Sequence, residues 1–344
     1  MNTSQDEIES YFLQPFLSNK IKVDIESSKD QGYFFDLCKS FQLSGYLLRS
    51  IDFSKNTSNL KEKIVKLNNN YLKKVLLMRY EISKITELFS QNNIEYVVLK
   101  GMAIEVKKID SCRRFRDLDI LINYKDLKRA YALLRSFGYV YYNNQSNDCA
   151  KYLRDMHHLP PMVNNMGVTV ELHHRITLPT IFESCPLTDL AFLDKEICDG
   201  INVPSDRILL AHTLYHGILH HQLNSGPIFL LDIKNILIRN KYAEDSINDL
   251  LEKLNLTSEY SKVKSIIRSC KHSENINDAL MKEFYSLFKG KKIFPDKTSN
   301  QNRKISLLRL SKFIKLNSYN YQLPYWSPKL IFYLIKNLFK KMNS

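Results

Sequence analysis

The sequence predicts an α+β protein, with a small mixed β-sheet between a helical N-terminal lead-in and a helical C-terminal region. The 344 residues include only 9 glycines and 10 prolines, which favours helices over a sandwich or barrel with many turns. Short apolar runs alternate with helical patterns between residues 94 and 138. Two further strand patterns follow between residues 158 and 174, and the pattern beyond them is helical.

The composition is that of a folded globular protein with an excess of positive charge. Hydrophobic residues make up 44% and charged residues 25%, which is ordinary globular usage. The formal net charge of +14 implies attraction to nucleic acid, nucleotides, or an acidic membrane or protein surface. Drift in a lysine- and asparagine-rich proteome explains the charge equally well, so the charge alone identifies no partner.

Neither a secretory leader, a membrane span nor a cysteine framework is predicted. The first twenty residues carry acids where a signal peptide needs a basic flank and an apolar run. No stretch approaches the roughly 18 apolar residues of a membrane helix. The six cysteines include no C-x-x-C pair, which indicates reduced thiols. We therefore expect a cytoplasmic protein without stable membrane insertion.

Residues 1–90 are predicted to form a helical N-terminal region. Apolar residues recur at helical spacing from Asn59 to Gln91, which indicates one or two long amphipathic helices. Shorter helical patterns precede them between residues 7 and 50. This region is expected to lead into a core that spans residues 91–180.

The core at residues 91–180 is predicted to alternate strands and helices. IEYVVLK (94–100) is rich in β-branched and aromatic residues and is followed by Gly101, which indicates a buried strand and a turn. DLDILI (117–122) gives the second strand, and the apolar stripe of residues 126–138 gives a helix. HLPPMVNNMGVTVELHH (158–174) predicts two strands joined by a turn, with Glu171 on the polar face of the second.

Residues 181–344 are predicted to form a helical C-terminal domain with a basic aromatic tail. Apolar periodicity indicates helices at residues 208–219 and 228–238. Residues 303–344 contain nine Lys or Arg and no acid, with aromatic residues interleaved. A terminal amphipathic helix docked on the protein is the preferred interpretation, and binding to RNA or a phosphorylated substrate, or to a membrane surface, is the alternative.

Two acids interrupt the apolar second strand. Residues i and i+2 of a strand project to the same side, so Asp117 and Asp119 present two carboxylates at one place. Like charges held together need a cation, and Mg²⁺ binds carboxylate oxygens together with substrate phosphates. Two such ions clamp the attacking and leaving oxygens of a phosphoryl displacement. Glu171 is the candidate third ligand or base, with a structural salt bridge to Arg175 as the alternative.

Cationic residues near these acids are candidates for binding a triphosphate. Lys100 and Gly101 lie at a predicted strand-to-helix turn and offer a cation, close backbone approach and free N–H groups. Arg113, Arg114 and Arg116 precede the acids and are candidates for bidentate phosphate contacts. The pattern therefore predicts a metal and a nucleotide between the two groups.

Four motifs together resemble a known family. They are LKG (99–101), R-x-R-D-L-D-I-L-I (114–122), A-x-x-L-L-x-x-x-G-Y (130–139) and VELHH (170–174). The sequence resembles the uncharacterised bacterial nucleotidyltransferases of the DNA polymerase beta-like superfamily over roughly residues 60–240. The superfamily usually has Gly-Ser or Gly-Gly at the turn after the first strand, where this chain has Lys-Gly-Met.

The resemblance implies a metal-dependent nucleotidyltransferase. Asp117, Asp119 and Glu171 correspond to the three acids that bind two Mg²⁺ or Mn²⁺ ions. The implied reaction transfers a nucleoside monophosphate (NMP) from a nucleoside triphosphate (NTP) to an acceptor hydroxyl, with release of pyrophosphate.

The acceptor is left open. A small molecule is favoured because no RNA-binding module is recognisable, while RNA or a protein side chain is the alternative. The second hypothesis is a toxin-like enzyme that modifies tRNA. The third is a non-catalytic binder of a nucleotide or partner on a degenerate transferase fold, which the altered turn favours and the intact acids disfavour.

Histidines provide further candidates. His212, His216 and His220 lie at i, i+4 and i+8 of one predicted helix, a spacing that suits zinc ligands. No further ligand is apparent, so packed or hydrogen-bonded histidines are the preferred interpretation, with His216 facing the cleft as the better functional candidate.

Three more histidines and one acid lie near the predicted site. His158, His173 and His174 flank the hairpin that carries Glu171 and are predicted either to orient that acid or contact substrate, or to be polar surface. Asp232 lies in an apolar helix, where an acid needs a partner, so it either pairs with an arginine or faces the nucleotide.

Overall fold

The architecture is known from a computed structural model, and every structural statement refers to the residues that it describes. These are residues 5–17, 19–141, 153, 157–177, 186–221, 223–240, 247–274, 276–288 and 293–294. The basic aromatic tail predicted at residues 303–344 lies outside them.

The described strands are short, and most belong to one sheet. In chain order they are β1 (Ile21–Val23), β2 (Ile51–Phe53), β3 (Tyr96–Val98), β4 (Asp117–Ile122), β5 (Val140–Tyr141), β6 (Met162–Val163), β7 (Thr169–His173), β8 (Lys195–Cys198) and β9 (Ile201–Pro204).

Along the chain, helices lie before, between and after the strands of the sheet. In chain order the described α-helices are α1 (Gln5–Tyr11), α2 (Ser28–Ser40), α3 (Ser44–Ser50), α4 (Ser58–Gln91), α5 (Lys100–Val106), α6 (Leu127–Ser136), α7 (Pro186–Leu193), α8 (Asp206–Leu214), α9 (Ile228–Arg239), α10 (Asn248–Lys253), α11 (Thr257–Lys271) and α12 (Asp278–Phe288). A π-helix, Tyr215–His220, continues α8.

The central sheet has five strands in the order β3-β4-β7-β6-β5. Strand β4 runs parallel to β7 and antiparallel to β3, and β6 is antiparallel to both β7 and β5, so the sheet is mixed. Two separate pairs, β1 with β2 and β8 with β9, lie outside it. The predicted α+β class with a small mixed sheet is confirmed.

Strand β4 has two chemically different faces. Leu118, Ile120 and Ile122 are fully buried in the core, and burial of each such side chain contributes about 1.5–3 kcal/mol. The alternate positions, Asp117 and Asp119, project to the other side. The apolar face fixes the register of the strand, because a slip by one residue would bury both carboxylates in the core.

Helix α4 is a single helix of 34 residues, where the sequence allowed one or two. At 1.5 Å per residue it is about 50 Å long. Its buried apolar stripe recurs at helical spacing and includes Leu60, Ile64, Val75, Met78, Ile82, Ile85 and Phe89. No proline interrupts the segment, so the stripe continues unbroken to the turn before β3.

The turn after β3 requires a glycine at its second position. A Cβ added to Gly101 would lie 2.6 Å from the Cβ of Phe115, which leaves no room for a side chain. The preceding residue, Lys100, has φ +50°, in the left-handed region that non-glycine residues rarely adopt. The backbone N–H of Leu99 donates to the carbonyl of Asp119 at 2.9 Å and holds this turn against β4.

Among the described helices, none combines the length and the apolar character needed to cross a membrane.

Candidate active site

Parallel pairing of β4 with β7 places two acids opposite one another. In this register Asp119 faces Glu171, and Asp117 faces Thr169. Neighbouring strands lie about 4.8 Å apart, so side chains on the same face at paired positions can share a ligand. Ligand atoms of Asp119, Glu171 and His173 all lie within 4.8 Å of one another. Asp117 is two residues before Asp119 on the same face and lines the same cavity.

Asp119 is bound from two sides by groups that carry positive charge or donate a proton. The Nζ of Lys100 donates to Oδ1 of Asp119 at 2.7 Å, and Nε2 of His173 lies 2.8 Å from the same oxygen. His173 is also 3.5 Å from Oε2 of Glu171, so its ring bridges the two acids. Asp119 and His173 are almost completely buried, which strengthens these contacts relative to water.

The two aspartates of β4 differ in their proton affinity. Desolvation, together with the charges of Asp119 and Glu171, raises the pKa of Asp117 to about 7. Desolvation also opposes ionisation of Asp119, but the charge of Lys100 and the hydrogen bond with His173 outweigh it and lower the pKa of Asp119. Asp117 is therefore the acid of the pair that holds a proton more readily.

Glu171 is held as a carboxylate. Desolvation raises its pKa, but the hydrogen bond with His173 together with the charges of His158 and Lys100 outweighs that effect, so the pKa of Glu171 is lowered. The ring of His158 also faces this acid, with Nε2 3.9 Å from Oε2. Arg175, the structural partner considered from the sequence, instead donates through Nε to Nδ1 of His174 at 3.1 Å.

A cavity of about 440 Å³ opens over these acids. Its lining includes the acids, nearby cations and a group of histidines, among them Lys100, Gly101, Arg113, Arg116, Asp117, Asp119, Glu171, His157, His158, His212, His216, His220, His221 and Asp232. The volume lies within the range of small-ligand pockets.

Arg113 and Asp232 form an ion pair at the cavity wall. The Nε of Arg113 lies 2.8 Å from Oδ1 of Asp232, and both side chains are largely buried. Desolvation raises the pKa of Asp232 to about 6, although the charge of Arg113 counteracts it. Asp232 therefore pairs with an arginine, the first alternative considered for it, and it also lines the cavity.

The other two arginines of the loop are placed differently from each other. Arg116 lines the cavity and donates through Nη2 to the carbonyl of Lys39 at 3.3 Å. Arg114 is buried, and its guanidinium donates to Oδ1 of Asn68 at 3.1 Å and to the carbonyl of Ser111 at 2.8 Å. The structure does not place Arg114 where a phosphate in the cavity would contact it.

Histidines from α8 and the following π-helix form a second wall of the cavity. Ligand atoms of His216, His220 and His221 lie within 4.8 Å of one another. This cluster contains His216 and His220, two of the three histidines at i, i+4 and i+8, together with His221, while His212 lines the same cavity. Burial lowers the pKa of His212 to about 3 and that of His216 well below its usual value, so both rings are neutral.

His157 and His221 were not among the candidates from the sequence, although both belong to His-His doublets. The ring of His157 lies between the two walls, with its centroid 5.0 Å from that of His173 and 4.7 Å from that of His220. Desolvation keeps the pKa of His157 far below its usual value. A doublet in an otherwise apolar segment is the signal that would have identified them.

The acids fit a hard divalent ion. Asp119 and Glu171 bring carboxylate oxygens together, which are the ligands that Mg²⁺ and Mn²⁺ prefer. The ammonium of Lys100 and the ring of His173 face these acids, while desolvation and the charges of Asp119 and Glu171 raise the pKa of Asp117.

Comparisons with known proteins identify the family. No curated protein matches the sequence. Among solved structures, the solution structure of the antibiotic-resistance factor ANT(2'')-Ia is similar over 56% of this chain and 97% of that chain, with 10% identity and a TM-score of 0.37. The model of a family described as uncharacterised nucleotidyltransferase matches residues 27–270, well over half of the chain. The chain belongs to this uncharacterised nucleotidyltransferase family.

Proposed function

We propose that the protein transfers an NMP from an NTP to an acceptor hydroxyl, with release of pyrophosphate. Membership of a nucleotidyltransferase family supports this class of reaction. The observation that carries the proposal is the pairing of Asp119 with Glu171 across β4 and β7, beside Asp117, in a cavity of about 440 Å³.

The three acids would hold two Mg²⁺ or Mn²⁺ ions. When bound, such ions neutralise charge on the transferred phosphoryl group and lower the pKa of the acceptor hydroxyl. Asp119 and Glu171 have lowered pKa values and are ready to bind as carboxylates. Glu171 either completes the ligand set or accepts the proton of the acceptor hydroxyl, and His173 orients both acids through its bridging contacts.

Three cations at the cavity would bind the triphosphate. Lys100, Arg113 and Arg116 all line it, and each offers N–H donors to phosphate oxygens. Lys100 reaches the site from the turn where Gly101 brings the backbone close to β4. Arg113 is positioned by its ion pair with Asp232.

A small molecule is the favoured acceptor. The cavity volume suits a small ligand beside part of a nucleotide, and the region that the structure describes presents no recognisable RNA-binding module. The net charge of +14 favours a second candidate, a toxin-like transferase that modifies tRNA. Steep loss of tRNA binding with added salt would support that second candidate.

Label transfer tests the proposal directly. The full chain is incubated with each α-³²P-NTP and Mg²⁺ or Mn²⁺, and separately with a metabolite pool, total tRNA or cell extract. We expect label in one acceptor fraction, and we expect Asp117→Asn/Asp119→Asn to abolish it. Asp52→Asn is the matched control, because Asp52 is an exposed strand carboxylate in β2, outside the cavity lining.

The outcomes separate catalysis from binding. Transfer by both the wild type and the double variant would show that these acids do not carry the reaction. Absence of transfer by the wild type, with NTP still bound, would favour a non-catalytic nucleotide or partner-binding protein on a degenerate transferase fold.

A further inference from the structure

The helical wall of the cavity carries a compact group of imidazoles. The ligand atoms of His216, His220 and His221 lie within 4.8 Å of one another, and all three residues line the cavity. The ring centroids are 5.0 Å apart for His216 and His220, 4.2 Å for His216 and His221, and 4.8 Å for His220 and His221. We name these three residues the histidine cluster.

The π-helix explains why the histidine cluster forms. The backbone N–H of His221 donates to the carbonyl of His216 at 2.9 Å, five residues earlier, which is the π-type hydrogen bond. In a regular α-helix residues i and i+5 point in different directions, whereas this wider turn brings their side chains together. Gly217 allows the turn to pack closely, since a Cβ there would lie 2.5 Å from the ring of Phe229 in α9. Such single π-turns occur frequently at functional sites.

We propose that the histidine cluster binds a divalent transition-metal ion such as Zn²⁺ through three imidazole nitrogens. Imidazole suits Zn²⁺, Cu²⁺ and Ni²⁺, while carboxylate and water oxygens suit Mg²⁺. Zn–N bonds of about 2.0–2.1 Å require nitrogens about 3.4 Å apart in a tetrahedral site. Ligand atoms already within 4.8 Å reach that separation when rotation of the side chains shortens each distance by up to about 1.4 Å.

A site with three protein ligands retains an open coordination position. Because the three histidines line the cavity, this position is accessible to a molecule bound there, such as the acceptor. The acids of β4 and β7 lie on the other side of His157, so the cavity would have an oxygen-donor site and a nitrogen-donor site that select different ions. This inference does not depend on the proposed transferase reaction.

Cobalt binding tests the histidine cluster without any activity assay. The full chain is freed of metal with a chelator and titrated with Co²⁺, whose visible absorption reports nitrogen-rich, low-coordinate binding, in the presence of excess Mg²⁺. We expect one bound Co²⁺, displaced by Zn²⁺, and at least about 100-fold weaker binding by His220→Gln/His221→Gln. His272→Asn is the matched control, because His272 is exposed and lies outside the cavity.

Two further measurements keep the test decisive if the double variant is unstable. X-ray absorption of the Zn²⁺-loaded wild type should show three imidazole ligands, and fewer than three would overturn the proposal. Loss of the Co²⁺ signal in Asp119→Asn, with retention in the histidine variant, would assign the ion to the acids and also overturn it. Absence of tight Co²⁺ or Zn²⁺ binding by the wild type would also overturn the proposal.

Discussion

Binding of Mg²⁺ to the metal-free protein should release a proton from Asp117 near neutral pH. Desolvation and the charges of Asp119 and Glu171 hold the pKa of Asp117 at about 7. An ion that binds this carboxylate must displace its proton, so binding should be linked to pH. The other two acids are already ionised and release none.

The expected proton count follows from that pKa. A group with a pKa of about 7 is about 90% protonated at pH 6, about half at pH 7 and about 10% at pH 8. Mg²⁺ binding should therefore release about 0.9 proton at pH 6 and about 0.1 at pH 8. Affinity for Mg²⁺ should rise over the same interval, because less energy is spent on deprotonation at higher pH.

Isothermal titration calorimetry measures this count directly. Titrations at pH 6, 7 and 8 are repeated in buffers with different ionisation enthalpies, and the slope of heat against buffer enthalpy gives the protons released. Lys100→Met should raise the count at pH 8, because the charge of Lys100 lowers the pKa of Asp117. Lys108→Met is the matched control, since Lys108 is an exposed lysine paired with Asp199 outside the cavity.

A proton count that stays constant between pH 6 and pH 8 would refute this reasoning. The same conclusion would follow if Lys100→Met and Lys108→Met gave equal counts at every pH. A constant count near zero would mean that Asp117 is already ionised before the ion binds, and a constant count near one would mean that its pKa lies above this interval. Equal counts in the two lysine variants would mean that Lys100 does not influence the pKa of Asp117.

Three more predictions concern single residues. Gly101→Ala should lower the free energy of unfolding by about 1–3 kcal/mol, because its Cβ would meet the side chain of Phe115. Gly32→Ala, in open space on α2, should instead raise that free energy by about 0.5–1 kcal/mol. Urea unfolding measures both, and equal effects would contradict the packing argument. Arg113→Ala should lower the free energy of unfolding by about 3–5 kcal/mol in the same assay, because Asp232 remains buried without its ion-pair partner. A smaller loss for Arg113→Met/Asp232→Leu would show that the unpaired charge, and not the lost side-chain volume, causes the effect. His173→Gln should move the acid limb of the label-transfer pH profile to higher pH. The pKa of Asp117, about 7, is the highest of the three acids and sets that limb, and the charge of His173 lowers it; an unmoved limb would argue against this role of His173.

Strand β4 and the direction of its two aspartates were predictable from local rules. The two-residue period of DLDILI places Asp117 and Asp119 on one face and buries the alternate residues, as the structure has them. The α+β class followed similarly from short apolar runs between helical patterns. Helix α4 is one element because its apolar stripe has no breaker, although the sequence did not exclude a division.

The partners of the charged groups were not predictable, because they depend on contacts between distant segments. Lys100 donates a hydrogen bond to Asp119, 19 residues away, and Arg113 forms an ion pair with Asp232, 119 residues away. No local rule distinguishes Arg114, which is buried against Asn68, from its neighbours in the loop. The π-helix likewise has no sequence rule, so regular helical spacing did not indicate that His221 lies beside His216 and His220.

The parallel pairing of β4 with β7 would also link binding of the proposed ion to folding. Asp119 and Glu171 are brought together only after the long connection between these strands closes, and an unfolded chain has no comparable set of ligands. An ion that binds only the native chain stabilises it, by about 2.7 kcal/mol at a concentration 100 times its Kd. Mutual repulsion of the acids opposes the same closure when no ion is present. The resistance of this protein to heat or proteases should therefore depend on the divalent ions in its surroundings.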